Sequence, residues 1–203
     1  MSLADWQQFN TNMTVSIETI TPILNSGSLK MAQSAVNFRL NMLPSVASLR
    51  PHAFTKGALR TLIKPVSFTG LVRIGVTCMQ SGRDVHNVGA CYFAHLSNSS
   101  IVLGKGDLHV FTTLATVPFT LTSGVVTALE LQWLTLIDEI SGVDLTVKTG
   151  VATDFSDLAE VIHMVDTSTP LSVTQGESLG VDDGSGGSLL TVLYDQTTLL
   201  QIL

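Results

Sequence analysis

The sequence predicts an all-β protein: an antiparallel two-sheet β-sandwich of the jelly-roll kind, with a short N-terminal helical arm and one short surface helix. Three observations carry that expectation. From Ser28 onward the chain breaks into short β-branched runs separated by turn residues, at the spacing of a sandwich or barrel. Several runs alternate at the period of a strand: in Leu71-Val-Arg-Ile-Gly-Val-Thr-Cys78 the set Val72, Ile74, Val76, Cys78 is wholly apolar and opposes Leu71, Arg73, Gly75, Thr77. Finally, 203 residues suit one large β domain with a core to bury, and no internal repeat or linker divides them.

Taken in order, residues 1–27 read as an arm. Ser2-Leu-Ala-Asp5 has the pattern of a capping box, and Trp6, Phe9 and Met13 follow at roughly helical spacing, so a short helical turn is expected there. Residues 28–203 read as the sandwich. Strands are expected over Ser28 to Ala32, Ala35 to Leu43, Ala58 to Ile63, Gly70 to Met79, Ala90 to Leu96, Ser100 to Leu103 and Leu108 to Thr113. Further strands are expected over Val125 to Leu136, Val143 to Thr149, Leu171 to Thr174, Ser178 to Val181 and Leu189 to Tyr194. In the Val125 strand, Leu129, Leu131 and Trp133 face the core while Glu130 and Gln132 turn the other way. Phe155, Leu158, Ile162 and Val165 recur at helical spacing behind an acidic start, which predicts the surface helix. Asp182-Asp-Gly-Ser-Gly-Gly187 reads as a flexible turn between strands.

Composition narrows the function. Hydrophobic residues make up 45% of the chain and charged residues 13%, which leaves few charges to cover a solitary sphere and points to surface covered by partners. No apolar run approaches the roughly 18 to 20 residues that crossing a bilayer requires, so no membrane span is expected. Asp5, Trp6, Gln7 and Gln8 stand where a secretory leader would be basic and then apolar, so folding in a cytoplasm is expected. The net charge is −6, and the ten Lys and Arg are scattered from Lys30 to Lys148, which gives nucleic acid no electrostatic footprint.

Each candidate chemistry meets a plainer reading. No Gly-x-Ser-x-Gly elbow occurs, and Ser185 sits in a turn, so no catalytic serine is expected. Glycoside hydrolysis wants two carboxyls facing one cleft, yet Glu130 is followed at the alternate position by Gln132, and Asp138 and Glu139 are adjacent in a turn. The five histidines His52, His86, His95, His109 and His163 show no zinc spacing, although His95 and His109 could approach across neighbouring strands. Asp182 and Asp183 lack the Asp-x-Asp-x-Asp-Gly run of a calcium loop. Neither metal nor cofactor is expected. Cys78 and Cys91 flank a turn-rich connection and could face each other across a hairpin, with buried free thiols the plainer expectation. The sequons at Asn12 and Asn98 carry no weight without a secretory route.

Three consecutive runs, Gly70-Leu-Val-Arg-Ile-Gly-Val-Thr-Cys-Met-Gln80, Ala90-Cys-Tyr-Phe-Ala-His-Leu96 and Ser100-Ile-Val-Leu-Gly-Lys-Gly106, resemble a stretch of laminin-G-like, concanavalin A-like jelly rolls. Ala128-Leu-Glu-Leu-Gln-Trp-Leu134 is similar to that family's central strand, and Leu193-Tyr-Asp-Gln196 to its closing strand, so the resemblance spans Ser28 to Leu203. The acid-x-acid-x-acid set of the family's glucanase branch is missing at Glu130, which weakens a sugar-processing role. The Thr, Ser, Val and Leu richness, the scarcity of Lys and the arm also resemble virion proteins of tailed bacteriophages. That resemblance implies a non-enzymatic structural protein of a virion that forms homo-oligomers and docks on other virion proteins through Trp6, Phe9 and Met13, since aromatic and Met side chains concentrate interface energy. The alternative is a lectin-like module that binds a surface glycan through the loop residues Arg83, Asp84, His86 and Asn87. Scarce aromatics, 6% of residues, count against it.

Overall fold

The computed structural model describes residues 6–9, 13–24, 27–33, 39–44, 55–79, 90–107, 110–136, 141–171, 177–182 and 189–201. Within them the chain forms β1 (Trp6–Phe9), β2 (Met13–Glu18), β3 (Ser28–Gln33), β4 (Arg39–Pro44), β5 (Lys56–Phe68), β6 (Arg73–Cys78), β7 (Cys91–Ser97), β8 (Ser100–Asp107), β9 (Val110–Pro118), β10 (Thr127–Leu136), β11 (Gly142–Gly150), β12 (Ala159–Asp166), β13 (Ser178–Asp182) and β14 (Leu190–Gln201). They build two antiparallel seven-stranded sheets. The front sheet has the order β1-β4-β13-β6-β7-β8-β9, and the back sheet β12-β11-β10-β5-β14-β3-β2. The expected all-β sandwich is present.

Alternation does the folding. In β6 and β7 the side chains of Ile74, Val76, Tyr92, Ala94 and Leu96 turn inward, and they meet Leu59, Ile63, Leu129, Leu131 and Trp133 of the back sheet in one core. Each large aliphatic side chain of the set, taken from water, contributes roughly 1.5–3 kcal/mol, which locks the register because a one-residue slip would expose the whole set. The meanders β6 to β9 and β10 to β12 are local hairpins, whereas β13 enters between β4 and β6, and β14 between β5 and β3. Those insertions join distant parts of the chain.

Where the residues are described, strands and a turn replace both predicted helices; the Ser2–Asp5 start of the first lies outside the described residues. The arm contributes an edge strand to each sheet, β1 pairing with β4 and β2 with β3. A helix that short gains few internal hydrogen bonds for the residues it orders, whereas a sheet edge offers a ready ladder. Residues 151–158 form a turn, with Asp157 accepting from the backbone N–H groups of Val151 and Ala152, and β12 then pairs with β11. Phe155, at φ 63°, tucks against Leu62 and Ala128, while Ile162 enters the main core. The helical spacing was therefore a coincidence between a turn residue and a strand. β9 runs on to Pro118, five residues beyond the expected end, and all of the expected Leu171 to Thr174 strand except Leu171 lies outside the described residues.

One open side of the sandwich is clamped by charge. Lys105 of β8 donates to Asp166 of β12 at 2.8 Å and to the carbonyl of Ser168, and the Tyr92 hydroxyl donates to the same Asp166 oxygen at 2.8 Å. With Asp166 2% exposed, this is a shielded pair that ties the front sheet to the edge of the back one.

Candidate ligand-binding face

The outward face of the front sheet carries the odd-numbered positions of β6 and β7, because their even neighbours fill the core. Arg73, Gly75 and Thr77 therefore stand beside Cys91, Phe93, His95 and Ser97, with Gly75 paired to His95 and Thr77 to Phe93. Register extends these rows in both directions. One runs Asn41, Gly180, Gly75, His95, Val102, Thr116 across six strands, and the next pairs Ser178, Thr77, Phe93, Gly104 and Thr113.

Two features distinguish this face. First, Gly180 and Gly75 are neighbours and both are buried, so the centre of the sheet is a floor of backbone without side chains. Gly75 admits no replacement without movement, since a Cβ there would lie 1.9 Å from the Ala94 carbonyl oxygen. Beneath this floor Tyr194, fully buried on β14, reaches from the opposite sheet and donates to the Gly180 carbonyl at 2.7 Å, with the Gly75 carbonyl at 3.4 Å. Burial pushes its phenol well above the ordinary value, so it stays a hydrogen-bond donor.

Second, the aromatic side chains gather. Phe93 stacks on His95 with ring centroids 4.4 Å apart and planes at 20°, and leans on Phe111 of β9 at 6.0 Å and 58°. Gly104 makes this possible, because its missing Cβ is the space that the Phe93 ring occupies. Phe93 is 6% exposed and Phe111 41%, so the group has a fixed base and an accessible rim. Flat apolar rings beside polar side chains suit a ligand with C–H faces and hydroxyl edges.

Among the described side chains of this face no two carboxylates face each other. The protein's two tyrosines, Tyr92 and Tyr194, both lie between the sheets, and burial pushes the Cys91 thiol up to about 12. Nor do the described residues bring together three or more metal-ligating groups.

The predicted sites are distributed as follows. Trp6 and Phe9 bound β1, Met13 opens β2, and their side chains lie outside the described parts. Arg83, Asp84, His86 and Asn87 fall outside the described residues, as do His109, Asp138, Glu139 and Asp183. Glu130 and Gln132 do share the outward face of the back sheet, hydrogen-bonded to each other at 2.6 Å. Lys148 stands 3.7 Å from the same carboxylate oxygen, and Glu130 is 4% exposed. That carboxylate is held in a ladder with Arg60, Lys148 and Glu160, its register neighbours. Cys78 and Cys91 are free and face opposite ways, Cys78 into the core and Cys91 outward beneath Phe93, because Cys78 pairs with Tyr92 and not with Cys91. They cannot be bridged in this register. Sequence reasoning noticed His95 only as a metal candidate and passed over Phe93 and Phe111. The Phe93, His95 alternation opposite the apolar set Tyr92, Ala94, Leu96 was the available signal.

No protein-family model and no curated protein matches the sequence. Solved structures match along most of the chain. The marine PL-14 alginate lyase from Aplysia kurodai superposes with a TM-score of 0.62 at 6% identity, covering 93% of this chain and 87% of that one. The carbohydrate binding module CBM66 from Bacillus subtilis gives 0.58 at 12% identity, over 97% and 95% of the two chains. The exoplasmic/lumenal domain of VIP36 in its Ca2+/Man-bound form gives 0.58 at 12% identity, over 98% and 84%. At such identities the likeness shows the fold alone, a concanavalin A-like β-sandwich. The expected jelly-roll resemblance is borne out to that level, and its tailed-phage branch gains no support.

Proposed function

We propose that this chain is a non-enzymatic, lectin-like module that binds a glycan on the outward face of its front sheet. The observation that carries the reading is the Phe93–His95–Phe111 group beside the Gly75–Gly180 floor. Pyranose rings present C–H faces that stack on such rings, while their hydroxyls seek the imidazole, the guanidinium of Arg73 and nearby backbone. The aromatics are few in the whole chain, but the fold collects two phenylalanines and a histidine at one place. Similar architecture in a carbohydrate binding module and in a mannose-bound lumenal domain is consistent with this use. A lyase of the same fold makes turnover the natural rival. Elimination needs a placed base and a placed acid, and the described face offers a single imidazole with no phenol beside it.

The ligand-binding reading replaces virion assembly as the leading one and moves the glycan from the 81–89 loop to the sheet face. A glycan array followed by calorimetry on the purified chain tests it. The expected result is saturable binding of a defined glycan, weakened at least tenfold by His95→Ala with the unfolding midpoint little changed. Silence across the array, or equal binding by the variant, would overturn the proposal.

A further inference from the structure

A sandwich of two open sheets has four edge strands, and an unprotected edge is a template for another chain. Three of the four are blunted here. β1 is four residues long. β2 ends in Glu18, paired to Lys30 at 3.0 Å. β12 carries Glu160, His163 and Asp166, and its ladder with β11 is broken by a bulge at Val147/Lys148.

β9 shares a register shift with β12, at Leu103/Gly104 of its ladder with β8, and ends in Pro118, but it differs in charge. Val110-Phe-Thr-Thr-Leu-Ala-Thr-Val-Pro118 runs nine residues without a charge, and β8 is the one described strand that pairs with it. Five of the nine are Val or Thr, the β-branched residues that favour a strand. Thr112, Thr113 and Thr116 are exposed, and Val110 is 65% exposed. About half of an edge strand's backbone N–H and C=O groups point away from its sheet.

We propose that β9 pairs antiparallel with β9 of a second copy of this chain, joining two front sheets into one continuous sheet. A copy is the occupant that the charge pattern selects. The chain carries −6 overall, which repels a copy from most approaches, but this strand brings no charge to the contact. For a foreign partner, the same blankness offers no charge to recognise. Antiparallel self-pairing closes on a two-fold axis, since residue i opposite j places j opposite i. The open edge is thereby consumed, and the assembly stops at two. Phe111 lies on this strand, so the aromatic groups of the two copies are brought to the same seam.

The test is the solution mass of the full chain by light scattering across a dilution series, and it does not depend on any glycan. The expected species has twice the mass of one chain and dissociates on dilution. Val110→Lys with Thr116→Lys places like charges along both strands, and is expected to yield a folded monomer by circular dichroism. Val165→Lys on the β12 edge leaves the dimer intact. A native chain that stays monomeric at high concentration refutes the proposal, as does a dimer that survives the β9 lysines. Should the double variant not fold, hydrogen exchange on the native chain decides: β9 amides protected more strongly at high concentration support the pairing, and concentration-independent exchange ends it.

Discussion

Glu177 gives the sharpest test of the core. It precedes β13 at an inward position, 5% exposed, beside the buried Cys78, and its Oε2 has no hydrogen-bond partner among the described residues. Burial pushes the carboxyl from an ordinary 4.5 to about 8. A difference of about 3.5 between folded and unfolded chains, at about 1.36 kcal/mol for each pH unit, amounts to about 5 kcal/mol. Below pH 4.5 the group is protonated in both states, and its contribution is fully present. As pH rises the unfolded chain ionises while the folded one keeps its proton, so stability falls by about 1.4 kcal/mol per unit until pH 8, with about 3 kcal/mol gone at pH 7. Glu177→Gln removes the ionisation. The variant should match the native chain near pH 4, exceed it by about 3 kcal/mol at pH 7 and by about 5 kcal/mol above pH 8. Urea unfolding, followed by fluorescence at intervals from pH 4 to 9, measures the difference between the two chains and cancels the other titrating groups. A difference that does not change with pH would refute the reasoning.

Asp166→Asn should cost about 3 kcal/mol in the same assay, because it leaves the largely buried Lys105 ammonium without its carboxylate; a loss below about 0.5 kcal/mol would mean the clamp is solvated. Tyr194→Phe removes the donor beneath the glycine floor and should cost about 1 kcal/mol with the strand content unchanged, as read by circular dichroism. Cys78 and Cys91 should resist a thiol reagent in the native chain and both react on unfolding, and reductant should leave mass and stability unaltered; a two-hydrogen mass deficit in the native chain would contradict the opposed facing.

Apart from Leu171 to Thr174, most of which lies outside the described residues, the expected strands correspond to observed ones, most ends agreeing within a few residues, because alternation and turn residues are local properties that a chain displays in its order. β5 shows the limit: the expected Ala58 to Ile63 grew to Lys56–Phe68, since β10 pairs with it only from Lys56 to Ile63 while β14 pairs along it from Gly57 to Phe68. The two helical expectations failed for the same reason. A spacing of apolar residues states which side chains want burial, and the partner that buries them decides whether the backbone is coiled or extended.

The site was half legible. Phe93 and His95 alternate on one strand, and that was readable from residue order. Phe111 joins them only through the β7, β8, β9 register, and the floor exists only because β13 inserts beside β6 and brings Gly180 against Gly75 from far along the chain. Residue order by itself determined the all-β class, the inward and outward faces of β6 and β10, the absence of a basic footprint and the likeness to concanavalin A-like sandwiches. Tertiary structure alone decided which strands are edges, which way the two cysteines point and where glycines and aromatic rings meet. The physical reason is that pleat and turn are set by neighbours in the chain, whereas pairing between distant strands is set by the whole set of side chains that must share one dry interior.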